Sequence, residues 1–298
     1  MKELKLSELL SAFLLEQRVR GNSEKTVLFY RRNVGYLISF LSDADADAVR
    51  LSDLQNYYLS VSSRPVSSIT VQTYMRAVRC FLTWAYREGY LRSDLVSSFR
   101  LPKARRKVFD VLTDDEVKRL LMVLRQHSDA ALRDRDLCIC LLMLDSGLRL
   151  GEVLGMKYGS LHLEEGYISV LGKGDKERYV PVGQHTKKEL MRYLFTRSGC
   201  ASKYSLFEKS KEIPLTEGAV RALFRRLKRT TGIERLHPHL LRHTFATRYL
   251  ENGGDLYSLQ LILGHTTLEM SKRYVQTTTR KMAVSFTAYS PLDNLLKK

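Results

Sequence analysis

Residues 239–243 read His-Leu-Leu-Arg-His, residues 263–265 read Leu-Gly-His, and Tyr274 follows nine positions later. His239 and Arg242 are three residues apart, so on a helix their side chains project from one face. A guanidinium can hold phosphate oxygens, an imidazole can carry a proton, and a phenol is a nucleophile once its proton is removed. The stretch therefore contains the groups that are needed to attack a phosphodiester without a metal.

Two upstream segments extend this set of groups. Arg149 stands in Ser-Gly-Leu-Arg-Leu-Gly-Glu, residues 146–152, and Lys173 stands in Leu-Gly-Lys-Gly-Asp, residues 171–175. Apolar residues alternate across 167–182, which predicts a β-hairpin with the lysine at its turn. Each residue alone would be an ordinary surface or core residue. Their combination and order indicate a site.

The histidine and cysteine patterns do not predict a metal centre. His237, His239 and His243 form no helical face with a carboxylate, and the sequence has no His-Glu-x-x-His motif. The four cysteines include no Cys-x-x-Cys pair, so we expect reduced, buried thiols. No phosphate-binding P-loop occurs either. We therefore expect no metal and no other cofactor.

The charge of the chain predicts a polyanionic partner. Its 298 residues carry a formal net charge of +17, with an isoelectric point near 9.7, and such a field attracts nucleic acid. No apolar run approaches the roughly 18 residues of a membrane span. Residues 1–5 do not begin a secretory signal. We expect a cytoplasmic protein that does not act at a membrane.

A basic segment divides the chain into two expected domains. Residues 1–102 read as four helices with short connections, a compact bundle of net charge +4. Residues 103–109 are basic and read as a solvated linker that lies along a DNA backbone. Residues 110–298 combine helices with the hairpin and end in a tail helix. The expected fold class is mainly α with a small β-sheet.

Helix boundaries follow from periodicity and capping signals. Ser23 is an expected N-cap in the first domain, and Thr113 with Glu116 forms a capping box that opens the second. After two N-terminal helices, the remaining ones are expected at about 52–61, 68–88, 113–126, 132–145, 187–197, 217–230, 238–251, 256–263 and 268–275.

Together the motifs resemble those of the tyrosine recombinases, the λ-integrase family, over nearly the whole chain. Members of that family use two arginines, a hairpin lysine, a His-x-x-Arg pair, a second His or Trp and a tyrosine nucleophile. The resemblance assigns these catalytic positions to Arg149, Lys173, His239, Arg242, His265 and Tyr274, with Glu152 as a supporting acid. It also implies a SAM-like helical core-binding domain followed by an α+β catalytic domain.

The resemblance implies a role for each residue. Tyr274 attacks the scissile phosphate and becomes a 3′-phosphotyrosine. Arg149, Arg242 and His265 hold phosphoryl oxygens. Lys173 protonates the departing 5′ oxygen, and His239 accepts the phenol proton. Site-specific recombination then proceeds through a Holliday junction, for integration, excision or resolution, without metal or ATP.

The resemblance also implies the partners. The DNA is double-stranded with an inverted-repeat core site, and the protein is a homo-oligomer, a dimer on the site and a tetramer in the synapse. Leu292, Leu295 and Leu296 lie on one face of the tail helix, which is expected to dock on a neighbouring protomer. The layout is closest to the Xer recombinases and the simple integrases of mobile elements, with a mobile-element role slightly favoured. Whether a second recombinase or accessory protein takes part stays open.

Other functions share some of these features. A type IB topoisomerase uses the same chemistry without exchanging partners, but the helical first domain and the apolar tail favour assembly. A non-catalytic DNA-binding regulator would have no need of a phenol at position 274. A transposase that uses carboxylates and magnesium fits poorly, since the acidic run at 43–47 is confined to one loop.

Overall fold

The computed structural model describes residues 4–99, 101, 110–172, 177–195, 204–210, 213–265, 267 and 274. The chain divides into two compact units, Met1–Lys107 and Val108–Lys298, and each has its own hydrophobic core. Both units are mainly helical, as the sequence predicts. Within the described ranges, no helix is both long enough and apolar enough to cross a bilayer.

The N-terminal unit contains a four-helix bundle. Its helices are α1 (Leu6–Val19), α2 (Glu24–Phe40), α3 (Leu51–Ser62) and α4 (Ser68–Arg87). Ser23 caps α2 as predicted, because its hydroxyl accepts a hydrogen bond from the backbone N–H of Thr26. The ring of Phe13 packs edge-on against Tyr30 and Phe81, with centroid distances of 5.1 and 5.6 Å. Aromatic packing thus joins α1, α2 and α4.

The C-terminal unit has seven helices and five short strands among its described residues. They are α5 (Asp114–Arg125), α6 (Ala130–Asp145), α7 (Leu150–Gly155), β1 (Leu161–His162), β2 (Tyr167–Leu171), β3 (Glu177–Pro181), α8 (Gln184–Phe195), β4 (Glu208–Ser210), β5 (Ile213–Pro214), α9 (Glu217–Thr231), α10 (Pro238–Glu251) and α11 (Leu256–Leu263). The capping box at α5 is confirmed, since Thr113 and Glu116 exchange hydrogen bonds. Residues 137–143 of α6 are all buried, so this helix runs through the core.

The predicted hairpin is confirmed in its strands. β1, β2 and β3 form an antiparallel sheet in that order, and Ile168 lies opposite Val180. Both of these side chains are fully buried. Residues 173–176, which include Lys173, lie outside the described residues. The predicted linker at 103–109 and the tail helix lie outside them as well, and so does the predicted helix at 268–275 apart from Tyr274.

Several local expectations were wrong. Helix α8 begins at Gln184 rather than near 187, because Asp145 accepts hydrogen bonds from Gly183 N–H and from the Thr186 hydroxyl. This contact fixes the start of the helix from the end of α6. Helix α7 was not predicted, nor were the short strands β1, β4 and β5. Cys80 is exposed, whereas Cys138 and Cys140 are buried as expected.

Candidate active site

Arg242 lies at the centre of the predicted site and is only 4% exposed. Its Nη1 donates a hydrogen bond of 2.6 Å to the carbonyl of Gly147, and its Nη2 donates one of 2.8 Å to the carbonyl of Leu263. Nη2 is also 3.2 Å from Nε2 of His265. One guanidinium thus joins α10 to the loop after α6 and to the end of α11.

Gly147 allows the loop after α6 to approach α10 closely. Its φ is +64°, in the left-handed region that favours glycine. A Cβ at this position would overlap the ring of Phe245 on α10 and would lie 2.9 Å from a methyl of Leu263. The Gly-Leu-Arg sequence therefore turns tightly over α10, and it places Arg149 immediately before α7.

Arg149 is anchored by Glu152 at the start of α7. The backbone N–H of Arg149 donates to Glu152 Oε2, and its Nη1 donates to Glu152 Oε1, both at 2.8 Å. The side chain of Arg149 remains 35% exposed, while that of Glu152 is 7% exposed. Glu152 therefore holds Arg149 through two hydrogen bonds, and part of the Arg149 side chain stays exposed.

Arg178 on β3 is a member of this cluster that the sequence analysis missed. Its Nη1 and Nη2 bind the two oxygens of Glu152, each at 2.9 Å, and its Nε donates to the carbonyl of Ile262 at 2.9 Å. These bonds connect the lysine hairpin to α7 and to α11. The sequence signal is weak, since a charged residue on a short strand most often faces solvent.

His265 follows the end of α11 directly. Gly264 ends the helix in the left-handed conformation, with φ of +61°, as expected for a glycine after a helix. The backbone N–H of His265 donates to the carbonyl of Gln260 at 3.1 Å, and the Gln260 side chain donates to the carbonyl of His265 at 3.1 Å. These bonds hold the histidine with Nε2 directed at Arg242.

Tyr274 is 3% exposed, and its ring packs beside those of His243 and His265. Its ring lies parallel to that of His265, with an interplanar angle of 8° and centroids 6.5 Å apart. Its hydroxyl is 2.9 Å from Nδ1 of His243. His239, expected as the proton acceptor, lies next to His243 with ring centroids 6.4 Å apart. In the sequence, His243 is distinguished only as part of the histidine cluster.

The electrostatics of the site leave positive charge on the arginines. Burial, and then repulsion from Arg149, lowers the pKa of Arg242 to about 10, so it stays charged at neutral pH. Burial acts to raise the pKa of Glu152, but hydrogen bonds from Arg178 and Arg149 outweigh it and hold that pKa below its ordinary value. One carboxylate thus faces three arginines.

The histidines of α10 and its cap have lowered pKa values. Burial, followed by the charges of Arg242 and Arg149, lowers the pKa of His239. Burial is also the first cause that lowers the pKa of His243, to about 4. His237 has a structural role, because its Nδ1 accepts a hydrogen bond from Leu240 N–H and caps α10. The cluster therefore offers neutral imidazoles beside fixed cations.

The structure places five of the six predicted catalytic residues near one another. Arg149 lies just before α7, His239 and Arg242 are on α10, and His265 and Tyr274 follow α11, while Glu152 bonds to Arg149 and approaches Arg242. The sixth, Lys173, lies outside the described residues, between two strands that Arg178 connects to the cluster. An anion-binding pair of arginines beside a buried phenol can carry out phosphoryl transfer to the phenol oxygen.

Comparisons with known proteins agree with this fold. Residues 110–281 match the phage integrase family, and residues 10–89 match the phage integrase N-terminal SAM-like domain. The tyrosine recombinase XerC of Xylella fastidiosa strain 9a5c is 33% identical over 259 residues, which cover 86% of this chain and 87% of that protein.

Solved structures share the fold at lower identity. The Tn1549 transposon integrase in complex with transposon right end DNA has a TM-score of 0.79 at 21% identity, covering 96% of this chain and 99% of that one. The post-cleavage complex of the XerH site-specific recombinase with palindromic difH substrate has a TM-score of 0.75 at 22% identity, covering 92% and 82%.

The chain therefore belongs to the phage integrase family, with the SAM-like N-terminal domain that accompanies it. Within that family it is a tyrosine recombinase, an enzyme of site-specific DNA recombination.

Proposed function

We propose that this recombinase cleaves DNA through Tyr274, forming a 3′-phosphotyrosine, and exchanges strands through a Holliday junction. Arg149 and Arg242 hold the non-bridging oxygens of the scissile phosphate, with His265 as a further donor. Lys173 protonates the departing 5′ oxygen. The family resemblance assigns the phenol proton to His239, whereas its place near both arginines favours a hydrogen bond from its imidazole to the same phosphoryl group. The phosphotyrosine conserves the energy of the broken ester, so rejoining needs no ATP.

The environment of Arg242 is the observation that carries this proposal. Its guanidinium is buried and bonded to the carbonyls of Gly147 and Leu263, beside the segments that present Arg149 and His265. Among the described residues, the carboxylate that comes closest to the Arg242 guanidinium is that of Glu152, at 3.9 Å. The positive charge is therefore fixed in place without being neutralised. Such preorganised charge stabilises a phosphoryl transition state.

The proposed partner is double-stranded DNA with an inverted-repeat core site. The net charge of +17 supports a polyanionic partner, and the structural relatives named above were solved as DNA complexes. Exchange of both strands between two duplexes breaks four strands, and each chain supplies one Tyr274. We therefore propose a dimer on each site and a tetramer in the synapse, acting in the cytoplasm.

Covalent capture tests this proposal. Wild type and Tyr274→Phe are incubated with genomic DNA of the source organism, the protein is denatured, and protein-linked fragments are sequenced. We expect adducts at one inverted-repeat site, which disappear with Tyr274→Phe while DNA binding persists. Dispersed adducts would instead indicate topoisomerase-like relaxation. Absence of adducts from both proteins would indicate a DNA-binding regulator and contradict the proposal.

A further inference from the structure

The hydroxyl of Tyr274 is bonded to a histidine that has no assigned role. His243 Nδ1 lies 2.9 Å from the Tyr274 oxygen, and the two ring centroids are 5.8 Å apart at 46°. A general base must lie within about 2.6–3.2 Å of the proton that it removes. His243 meets this condition, whereas the structure shows His239 in contact with the ring of His243.

His239 and His243 are neighbours one turn apart on α10. His239 and Arg242 are three residues apart, and Arg242 turns towards the carbonyl of Gly147. His243 is four residues after His239 and is half-buried on the side of α10 that faces Tyr274. Helix α10 therefore carries the proposed phosphate-binding residues, His239 and Arg242, next to the histidine that contacts the Tyr274 hydroxyl.

Burial, more than the surrounding charges, keeps the imidazole of His243 neutral. Burial, then the neighbouring His239, His237 and Arg242, lowers the pKa of His243 to about 4. A neutral imidazole has one nitrogen that accepts a hydrogen bond. Among the described residues, the titratable and charged groups around the His243–Tyr274 pair come from three places. His237, His239 and Arg242 belong to α10 and its cap, His265 follows α11, and Arg149 and Glu152 lie beyond Arg242.

We infer that His243 is the group that accepts the phenol proton of Tyr274 in the proposed cleavage step. The tyrosine oxygen forms a bond to phosphorus as the bond from phosphorus to the 5′ oxygen breaks. The phenol proton moves to His243 Nδ1, and the 5′ oxygen receives a proton from Lys173. In rejoining, the same steps run in reverse, and His243 returns its proton to the departing tyrosine. This inference rests on the proposed function.

The variant His243→Asn distinguishes proton transfer to residue 243 from positioning of the Tyr274 hydroxyl by a hydrogen bond. The side-chain oxygen of asparagine lies close to the place of Nδ1, so His243→Asn can still accept a hydrogen bond from Tyr274. It cannot hold a proton. His243→Gln, whose amide reaches the Nε2 position instead, is a second variant. The matched control is His239→Asn, which makes the same change one helical turn away.

The measurement is single-turnover formation of the covalent adduct, from pH 6 to pH 8, on the inverted-repeat fragment that wild type captures. General-base catalysis contributes on the order of 10²- to 10⁴-fold, and we expect His243→Asn and His243→Gln to lose that much at pH 7. Their residual rate should rise about tenfold per pH unit, because the phenolate fraction rises towards a pKa near 10. The rates of wild type and of His239→Asn should not rise in this way with pH. His239→Asn should nevertheless form the adduct more slowly than wild type.

A second measurement needs no DNA. In the full-length protein with ¹⁵N-labelled histidine, His243 should be neutral at pH 7 with its proton on Nε2, and its Nδ1 signal should shift in Tyr274→Phe. A proton on Nδ1 would overturn the inference, because Nδ1 could not then accept the phenol proton.

The outcomes separate the two proposals. If His243→Asn cleaves like wild type while Tyr274→Phe is inert, the proposed function stands and the inference about His243 is wrong. The same holds if the steep pH profile appears in His239→Asn instead. If wild type forms no adduct at all, the proposed function fails and the proton-transfer step fails with it.

Discussion

The C-terminal unit contains two groups of buried carboxylates and arginines that differ in how the arginines are held. In the first, here called the α6 network, the carboxylates of Asp134, Asp136 and Glu189 are at most 7% exposed. Each of them contacts two arginines within 3.0 Å. These arginines are Arg125, Arg133, Arg135, Arg192 and Arg226. In the second group, at the active site, Glu152 alone faces Arg149, Arg178 and Arg242.

The difference lies in what holds each arginine. In the α6 network, each guanidinium has a carboxylate at hydrogen-bond distance, and Arg125 and Arg192 remain 48% and 46% exposed. Arg242 is buried and held by neutral carbonyls, so its charge stays available to an anion. The chemical nature of the acceptor therefore distinguishes Arg242 from the arginines of the α6 network.

Arg242→Lys should have the largest effect and tests this comparison directly. A lysine ammonium keeps the charge but cannot reach both carbonyls or hold two phosphoryl oxygens. We expect single-turnover cleavage to fall by about 10²- to 10³-fold, since loss of one donor to a transition-state oxygen costs about that much. Arg192→Lys, the same change in the α6 network, should cleave at the wild-type rate. Equal losses of cleavage rate in Arg242→Lys and Arg192→Lys would show that the two arginines do not differ in this way.

Glu152→Gln should have an intermediate effect. A neutral amide cannot satisfy Arg149 and Arg178 together, so we expect the free energy of unfolding to fall by about 3 kcal/mol. Misplacement of Arg149 should slow cleavage on the order of tenfold to 100-fold. Urea denaturation and single-turnover cleavage measure the two effects. A variant with full stability and full activity would show that Glu152 does not brace the site.

The contribution of Glu152 to the free energy of unfolding should depend on pH in a defined direction. Because the folded protein holds the pKa of Glu152 below its ordinary value, its contribution is fully present above that ordinary pKa. The contribution is lost as pH falls through the lowered pKa of the folded state. The difference in unfolding free energy between wild type and Glu152→Gln should therefore be constant near neutral pH and shrink in acid.

Glu189→Gln should have the smallest effect. Its partners Arg125 and Arg192 are about half exposed, so water replaces the lost charge and the unfolding free energy should fall by only about 1 kcal/mol. Cleavage should stay at the wild-type rate. A loss of cleavage comparable to that of Glu152→Gln would show that the α6 network also takes part in the reaction.

Local signals in the sequence predict much of this fold. The serine cap at Ser23 and the capping box at Thr113 give helix starts because capping involves residues three positions apart. The alternating residues of β2 and β3 predict the hairpin for a similar reason. Residues of the candidate site were identified by motif and family resemblance, which specify residue types and order.

Contacts between distant residues could not be predicted in this way. Arg178 binds Glu152 from 26 positions away, and His243 contacts Tyr274 from 31 positions away. The early start of α8 depends on a bond between Thr186 and Asp145, which are 41 positions apart. Periodicity and capping describe only neighbours along the chain, so these partners become visible only in the folded protein.

The central claim is that Tyr274 is the nucleophile, and mapping the DNA adduct by mass spectrometry tests it most directly. Trypsin cuts after Arg273 and Arg280, so Tyr274 falls in the peptide Tyr-Val-Gln-Thr-Thr-Thr-Arg, which has a single tyrosine. After nuclease digestion of captured adducts, we predict a nucleotide remnant on the Tyr274 oxygen in this peptide. A remnant on any other residue, in protein that has cleaved DNA, would contradict the account.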